Sequence, residues 1–245
     1  MSRFFLKRHE IDGNKAYITD ADDIRHITKV LRCMPGDRIE LSDGSEFEYG
    51  AEIISCSRDA VELLITDKQG FSTEPTLKVY LYQGIPKQGK METIIQKSVE
   101  LGVHEIIPVF MCRSVVTDKG NASNKRERWQ KISDEAVKQC KRGIIPAVER
   151  PLGFNDMLPR LKDHDLVIYP YENERKTSLK DVLKHLVRRP GSIALIIGPE
   201  GGFSDEEALK LAEGGAMSAS LGKTTLRTET AGAAAIAMIM YELEL

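Results

Sequence analysis

The sequence has few cysteines, and their spacing defines neither a disulfide framework nor a zinc site. Its four cysteines, Cys33, Cys56, Cys112 and Cys140, form no C-x-x-C pair, and its five histidines show no ligand pattern. Reduced thiols, as in a cytoplasmic protein, are therefore expected. We expect no bound metal ion.

Long apolar runs are also missing. No segment reaches the roughly 20 apolar residues of a membrane span, and the first residues lack the apolar stretch of a secretory signal. We therefore expect a cytoplasmic protein without a membrane partner. The chain has 245 residues, of which 41% are hydrophobic and 29% charged. These values are typical of one large or two smaller globular domains.

Two motifs of covalent catalysis and dinucleotide binding, G-x-S-x-G and G-x-G-x-x-G, are absent. The segment 84–91 almost satisfies the phosphate-binding pattern G-x-x-x-x-G-K-[ST], but Met91 replaces the hydroxyl that would hold Mg²⁺. Pro86 also removes one backbone donor. A P-loop-like nucleotide hydrolase is therefore the weaker interpretation. Lys87 and Lys90 could instead contact RNA phosphates, and solvated loop lysines are an equally good interpretation.

The formal net charge of −2 does not indicate a nucleic-acid-binding protein. Local charge differs, because residues 113–150 contain ten lysines and arginines against five acidic residues. Residues 1–38 contain eight against six. These stretches could form a phosphate-facing surface. On charge alone, solvated helix faces are the better interpretation.

Residues 1–72 show the pattern of a small antiparallel β-barrel. Short segments with alternating apolar residues are separated by turn signals such as Pro35-Gly36 and Asp43-Gly44. The composition of residues 68–75 is typical of a linker. We therefore predict one domain over residues 1–72 and a second over residues 73–245.

From residue 73 onward, apolar strands alternate with helical patterns. Strands are predicted at 77–82, 105–110, 165–169, 192–197 and 218–221. Helices are predicted at 91–99, 129–140, 178–188 and 231–241. A further helix should begin at the capping box formed by Ser204 and Glu207. This alternation predicts an α/β domain with a mostly parallel sheet covered on both faces.

Two strand exits near the carboxyl end indicate a pocket built from main chain. A glycine-rich loop at 198–202 follows the fourth predicted strand, and a second exit at 220–223 follows the fifth. In α/β sheets, ligands bind at the carboxyl ends of the strands, where glycines allow close backbone approach. If the two strands are neighbours, both loops and the segment 226–230 should border one site. No nucleophile with an adjacent base is evident there.

Several ordered motifs together carry a family resemblance across nearly the whole chain. They are FF at 4–5, HITKVLR at 26–32, QGIPK at 83–87, METIIQKSVELGV at 91–103, RSVV at 113–116, IGPEGGF at 197–203 and LRTETA at 226–231. In these motifs the chain resembles the RsmE family, SPOUT-class methyltransferases that methylate N3 of one uridine in 16S ribosomal RNA. A non-catalytic RNA-binding assembly factor is the main alternative.

The resemblance implies a fold, a cofactor and partners. The first domain would be a PUA-like RNA-binding barrel, and the second a SPOUT domain with a trefoil knot. S-adenosyl-L-methionine would be the cofactor, and the protein would act as a homodimer on 16S ribosomal RNA within the small ribosomal subunit.

On this resemblance, three groups of site residues are predicted. Cofactor binding is assigned to Ile197, Gly198, Pro199, Gly201, Leu221, Gly222, Leu226 and Thr228. Arg227 and Glu200 are the catalytic candidates, and Glu172 and Glu229 are further possible proton acceptors. RNA binding is assigned to Arg3, Phe4, Arg25, His26, Lys29, Arg32, Lys87, Lys90 and Arg113, with core packing an equally good interpretation for Phe4.

Overall fold

The computed structural model describes residues 3–71, 74–87, 89–114 and 122–244. The chain divides into two compact units. The first contains Met1–Glu74 and Val137–Ile145, and the second contains Pro75–Ala136 and Pro146–Leu245. The predicted division at residue 72 assigns 137–145 to the second domain, whereas the structure groups this segment with the first unit.

The first unit is built on a curled six-stranded sheet. Its strands are β1 (Arg3–Phe5), β2 (Ile11–Asp12), β3 (Lys15–Ile18), β4 (Arg38–Ser42), β5 (Phe47–Cys56) and β6 (Val61–Gly70). The order is β1-β4-β5-β6-β3-β2. All neighbours are antiparallel except β1 and β4, which pair in parallel. The expected small β-domain is therefore present, as a mixed sheet.

Local chemistry explains the hairpin formed by β4 and β5. The Asp43 carboxylate accepts hydrogen bonds from the backbone N–H groups of Ser45, Glu46 and Phe47, which closes the turn between β4 and β5. Alternate side chains along the strands then point inward. They form a buried core together with Phe4 and Leu6.

A segment from outside the sheet closes the first unit. The Glu74 carboxylate accepts hydrogen bonds from the Arg142 guanidinium and from the backbone N–H groups of Gly143 and Ile144. The Ser42 hydroxyl donates to the Gly143 carbonyl. These contacts explain why residues 137–145 cluster with the first unit. They also correct the linker prediction, because residues 68–70 belong to β6.

The second unit is a parallel α/β domain, as predicted. Its strands are β7 (Lys78–Gly84), β8 (Glu105–Phe110), β9 (Ala147–Val148), β10 (Leu152–Gly153), β11 (Leu166–Pro170), β12 (Ser192–Ile197) and β13 (Met217–Ala219). The main order is β10-β8-β7-β12-β11-β13, and β9 pairs with β8. All of these pairs are parallel.

The strand order does not meet the condition under which the sequence brought the two loops together. The fourth and fifth predicted strands, β12 and β13, are not neighbours, because β11 lies between them. The exit of β11 therefore joins the edge where the two predicted loops leave the sheet. Sequence spacing could not reveal this, because strand order depends on how the connections cross.

The helices are α1 (Ala21–Arg25), α2 (Lys90–Glu100), α3 (Ala122–Cys140), α4 (Phe154–Arg160), α5 (Leu179–Lys184), α6 (Asp205–Glu213) and α7 (Thr228–Leu243). The predicted capping box of Ser204 and Glu207 is confirmed at α6. The apolar α7 packs against α2, α5 and β12. Across the described ranges, no helix is long and apolar enough to span a membrane. The trefoil knot stays a prediction.

Candidate functional site

One cavity of about 810 Å³ lies at the carboxyl edge of the parallel sheet in the second unit. Its walls come from the exits of β11, β12 and β13 and from the start of α7. Each predicted cofactor residue lines this cavity, namely Ile197, Gly198, Pro199, Gly201, Leu221, Gly222, Leu226 and Thr228. The two loops therefore converge although their strands are not adjacent.

The exit of β11 is the part of this cavity that sequence analysis largely missed. Pro170, Tyr171, Glu172 and Glu174 line the wall, and only Glu172 had been singled out. The available signal was the polar run that follows the predicted strand at 165–169. Parallel strands place their carboxyl ends at one edge, so such a run is a candidate for the same site.

The glycine loop, residues 198–202, lies against the end of β7. A Cβ atom at Gly84 would lie 2.6 Å from the backbone nitrogen of Pro199 and 2.9 Å from the carbonyl carbon of Gly198. Only a residue without a side chain allows this approach. The Thr228 hydroxyl donates a 2.7 Å hydrogen bond to the Gly198 carbonyl, which ties the loop to the start of α7.

Lys90 forms a second connection between the glycine loop and α7. Its ammonium lies 3.2 Å from Glu200 Oε1 and 3.1 Å from Glu229 Oε2, and these two carboxylates raise the pKa of Lys90. The backbone N–H of Lys87 also donates to Glu200. Lys90 borders the cavity, but its charge is directed to two protein carboxylates. A phosphate would have to compete with them.

The pKa of Glu200 is lower than usual, which disfavours its predicted role as a proton acceptor. Burial acts to raise this pKa, but the backbone N–H groups of Glu200 and Lys87 and the Lys90 ammonium outweigh it. The pKa of Glu229 is also lowered, mainly by a hydrogen bond from its own backbone N–H and further by the Lys90 ammonium. Burial raises this pKa but is outweighed. A carboxylate with a lowered pKa is a weaker base.

Two other carboxylates that line the cavity are stabilised in the charged form by hydrogen bonds. Ser218 and the backbone N–H groups of Lys176 and Thr177 lower the pKa of Glu174 to about 2. The Ser178 hydroxyl lowers the pKa of Asp181.

Glu172 is exposed and has no hydrogen bond or ion pair with any described residue. A Cβ atom at Gly202, where φ is 66°, would lie 2.5 Å from Glu172 Oε1. The free carboxylate therefore lies directly over the glycine loop.

The two predicted arginines of this region have different surroundings. Arg227 precedes α7, borders the cavity and leaves 83% of its side chain exposed. Arg113 donates a 3.0 Å hydrogen bond to the Gly201 carbonyl. A Cβ atom at Gly201 would lie 2.9 Å from the Cβ of Arg113. Arg113 thus supports the loop, and a side chain at Gly201 would displace Arg113.

The residues predicted to bind RNA in the first unit separate into two groups. Arg3 is 6% exposed and its guanidinium lies 2.6 Å from Glu48, while Phe4 is 2% exposed in the core. Both side chains are engaged inside the unit, so we remove them from the predicted RNA surface. Arg25, His26, Lys29 and Arg32 are all exposed.

The exposed group shares an irregular piece of backbone. A π-helix runs from His26 to Val30, and Arg32 has a left-handed φ of 56°. Val30 and Met34 are 64% and 67% exposed. Among the described residues, no acidic side chain pairs with Arg25, Lys29 or Arg32. This surface therefore presents positive charge and apolar groups together.

The described part of the chain contains no group of three His, Cys, Asp or Glu residues that could hold a metal ion. The Lys87 side chain is exposed, whereas its backbone N–H donates to Glu200 and its carbonyl accepts from the backbone N–H of Lys90.

Comparison with known proteins matches both parts of the chain to family models. Residues 73–240 match an RNA methyltransferase domain, and residues 18–66 match an RNA methyltransferase PUA domain. Ribosomal RNA small subunit methyltransferase E of Bacillus subtilis (strain 168) is 35% identical over 251 aligned positions, which cover 100% of this chain and 98% of that protein. The enzyme of the same name from Buchnera aphidicola subsp. Schizaphis graminum is 34% identical, covering 98% and 94%.

A solved structure is also similar. The crystal structure of a ribosomal RNA small subunit methyltransferase E from Neisseria gonorrhoeae, bound to S-adenosyl methionine, superposes with a TM-score of 0.86. Its sequence is 32% identical, and the match covers 98% of this chain and 97% of that one.

Proposed function

Because the chain belongs to the ribosomal RNA small subunit methyltransferase E family, we propose that it methylates N3 of one uridine in 16S ribosomal RNA, with S-adenosylmethionine as the methyl donor. The observation that carries this proposal is the single cavity lined by both glycine-containing strand exits and the start of α7. It is an RNA methyltransferase with a PUA domain.

The cavity suits a nucleoside-sized donor. Its volume of about 810 Å³ falls within the usual range for small-molecule sites. Ile197, Leu221 and Leu226 offer apolar surface for an adenine ring, and the glycine loop offers backbone groups for the polar atoms. S-adenosylmethionine supplies an electrophilic methyl group on a sulfonium. The protein must orient the reacting groups, which can contribute about 7–11 kcal/mol.

The uracil must also lose its N3 proton, because the neutral imide is a poor nucleophile. We propose that Glu172 accepts this proton in place of Glu200. Glu174, Asp181 and Glu200 are all stabilised in the charged form by hydrogen bonds. Glu172 has no such partner among the described residues, and it faces the glycine loop. Arg227, largely exposed beside the cavity, would stabilise the negative charge that develops on the uracil.

RNA binding is proposed for two surfaces. In the first unit, Arg25, Lys29 and Arg32 would contact phosphates, with His26 beside them. In the second unit, Lys87 offers an exposed ammonium. Arg113 and Lys90 are given supporting roles, because their charged groups contact Gly201 and the Glu200–Glu229 pair. The uridine must leave its stack before N3 is accessible.

We further propose that the protein acts as a homodimer in the cytoplasm, on RNA within the small ribosomal subunit. The large side chains Met238 and Tyr241 are 41% and 73% exposed, three residues apart on α7. They support this proposal, because residues at this spacing share one helix face.

The alternatives are less well supported. A nucleotide hydrolase would need Lys90 at a phosphate, whereas its ammonium contacts Glu200 and Glu229. An RNA-binding assembly factor without catalysis would not require the 810 Å³ cavity beside a free carboxylate.

Calorimetry with S-adenosylmethionine, followed by methyl transfer to 16S ribosomal RNA, tests the function. RNA from cells lacking this protein should accept a methyl group at one uridine N3, as mapped by mass spectrometry. Gly198→Val should abolish donor binding, because a Cβ there lies 3.2 Å from the carbonyl carbon of Gly202. Gly70→Val is the matched control, since a Cβ atom at Gly70 meets nothing within 4 Å. A wild-type protein that binds no donor would refute the proposal.

A further inference from the structure

Gln83 carries a buried amide that reaches the glycine loop through one intermediate side chain. It lies near the end of β7 and its exposure is 0%. Its Nε2 donates a 2.9 Å hydrogen bond to the Thr228 hydroxyl and another of 2.9 Å to the Gly84 carbonyl. Gln83 does not border the cavity itself.

The Thr228 hydroxyl links the Gln83 amide to the Gly198 carbonyl by hydrogen bonds. A hydroxyl has one proton, and here its oxygen accepts from Gln83 Nε2. Its proton is then directed to the Gly198 carbonyl, 2.7 Å away. The amide of Gln83 therefore determines which way the hydroxyl points, and the hydroxyl orients the first carbonyl of the glycine loop.

The orientation of the Gln83 amide is itself determined by its surroundings. Exchanging its nitrogen and oxygen would place Oε1 against the Gly84 carbonyl, where two acceptors would repel each other. In the observed orientation, Oε1 is buried and has no hydrogen-bond partner among the described residues. A buried acceptor without a partner destabilises the fold. An apolar side chain at this position would avoid that cost, so stability alone does not account for Gln83.

We infer that Gln83 is a positioning residue for the methyl-donor cavity, which it serves by fixing the Gly198 carbonyl through Thr228. This inference rests on the proposed function. The close packing of Gly84 against Pro199 holds the same loop from the side. Preorganised backbone is what a site built from main chain requires, because a loop that must order on binding loses affinity.

The test compares donor binding in variants that keep side-chain volume. Gln83→Met removes both donors, and Thr228→Val removes the hydroxyl. Each should weaken S-adenosylmethionine binding about tenfold in calorimetry, as expected for one lost buried hydrogen bond. Thr228→Ser, which keeps the hydroxyl, should bind nearly as well as the wild type. The double variant should bind no more weakly than either single variant, because Gln83 acts through Thr228.

A second readout needs no ligand. Hydrogen exchange of the peptide that contains residues 197–203 should be faster in Gln83→Met and Thr228→Val than in the wild type. The matched control is Ser133→Ala. The buried Ser133 hydroxyl lies outside the cavity and donates a 2.8 Å hydrogen bond to the Pro146 carbonyl, which this variant removes. This control should lose stability without changing exchange in the loop or donor binding.

Unchanged donor affinity and unchanged loop exchange in Gln83→Met would overturn the inference. So would an equal loss of donor affinity in the Ser133→Ala control. If the wild type binds no donor, the proposed function fails, whereas the exchange comparison still decides whether Gln83 orders the loop.

Discussion

Lys90 shows how single contacts change the interpretation of a residue. In the sequence it completes most of a phosphate-binding pattern, and contact with RNA phosphates and a solvated loop position are equally good interpretations of it. In the structure its ammonium contacts Glu200 and Glu229, which belong to the glycine loop and to α7. The distances to two carboxylates decide this, and no spacing along the chain predicts them.

At the same scale, Glu172→Gln tests the proposed proton acceptor. A general base contributes about 10²- to 10⁴-fold to the rate, so kcat should fall by that order while the Kd for S-adenosylmethionine stays unchanged. The deficit should shrink as the pH rises, because more of the uracil is then ionised without a base. Single-turnover methyl transfer at several pH values measures both effects.

The control for Glu172 is Glu213→Gln, an exposed carboxylate at the end of α6. It should leave turnover unchanged. Normal turnover of Glu172→Gln at neutral pH would contradict the role of base. A large loss of donor binding in that variant would instead assign Glu172 to the cofactor.

Among the elements, the strands of the parallel sheet were predicted most closely. The prediction at 192–197 matches β12, and 105–110 matches β8. Their apolar runs are buried on both faces, which leaves a strong local signal. The helix predicted at 178–188 is shorter, because α5 ends at Lys184. Helix α4 was missed, since its seven residues contain Pro159 and only a short apolar pattern.

The segment after α3 allows a test at the scale of elements. Glu74→Ala removes the acceptor that Arg142, Gly143 and Ile144 share in the first unit. The side chains of Glu74 and Arg142 are 10% and 8% exposed. Breaking a buried ion pair from one side costs about 3–5 kcal/mol. The free energy of unfolding of the full chain in urea should fall by about that amount.

Lys15→Met provides the comparison for Glu74. It removes a surface pair with Glu62, in which the lysine side chain is 47% exposed. Such pairs contribute about 0–1 kcal/mol. If Glu74→Ala is no more destabilising than Lys15→Met, the buried pair is not what holds residues 137–145 to the first unit.

For the whole molecule, the change of sequence pattern near residue 73 predicted two domains, but it did not predict which segments belong to each unit. Residues 137–145 contain the last turn of α3, a helix that begins in the second unit, yet they cluster with the first. Their assignment depends on Glu74 and Ser42, which lie 69 and 101 residues away from Gly143 in sequence. Contacts at such separations leave no local pattern.

The homodimer is tested on the whole molecule. Sedimentation of the wild type should give a dimer, and Tyr241→Glu should shift it toward the monomer, because a buried charge at the interface costs more than the lost apolar contact. Leu209→Glu, a control on α6 with 58% exposure, should leave the mass unchanged. A monomeric wild type at micromolar concentration would contradict the proposal.

The sequence by itself determined the fold class and two of the loops that form the cavity, because glycine turns, capping boxes and strand periodicity are local properties. Its ordered motifs carried the family resemblance. Only the tertiary structure decided what surrounds those loops. Contacts between distant segments place β11 between β12 and β13 and bring Lys90 to Glu200 and Glu229. Such contacts also link Gln83 to Gly198 through Thr228. Such contacts follow from strand order and packing, which local patterns do not encode.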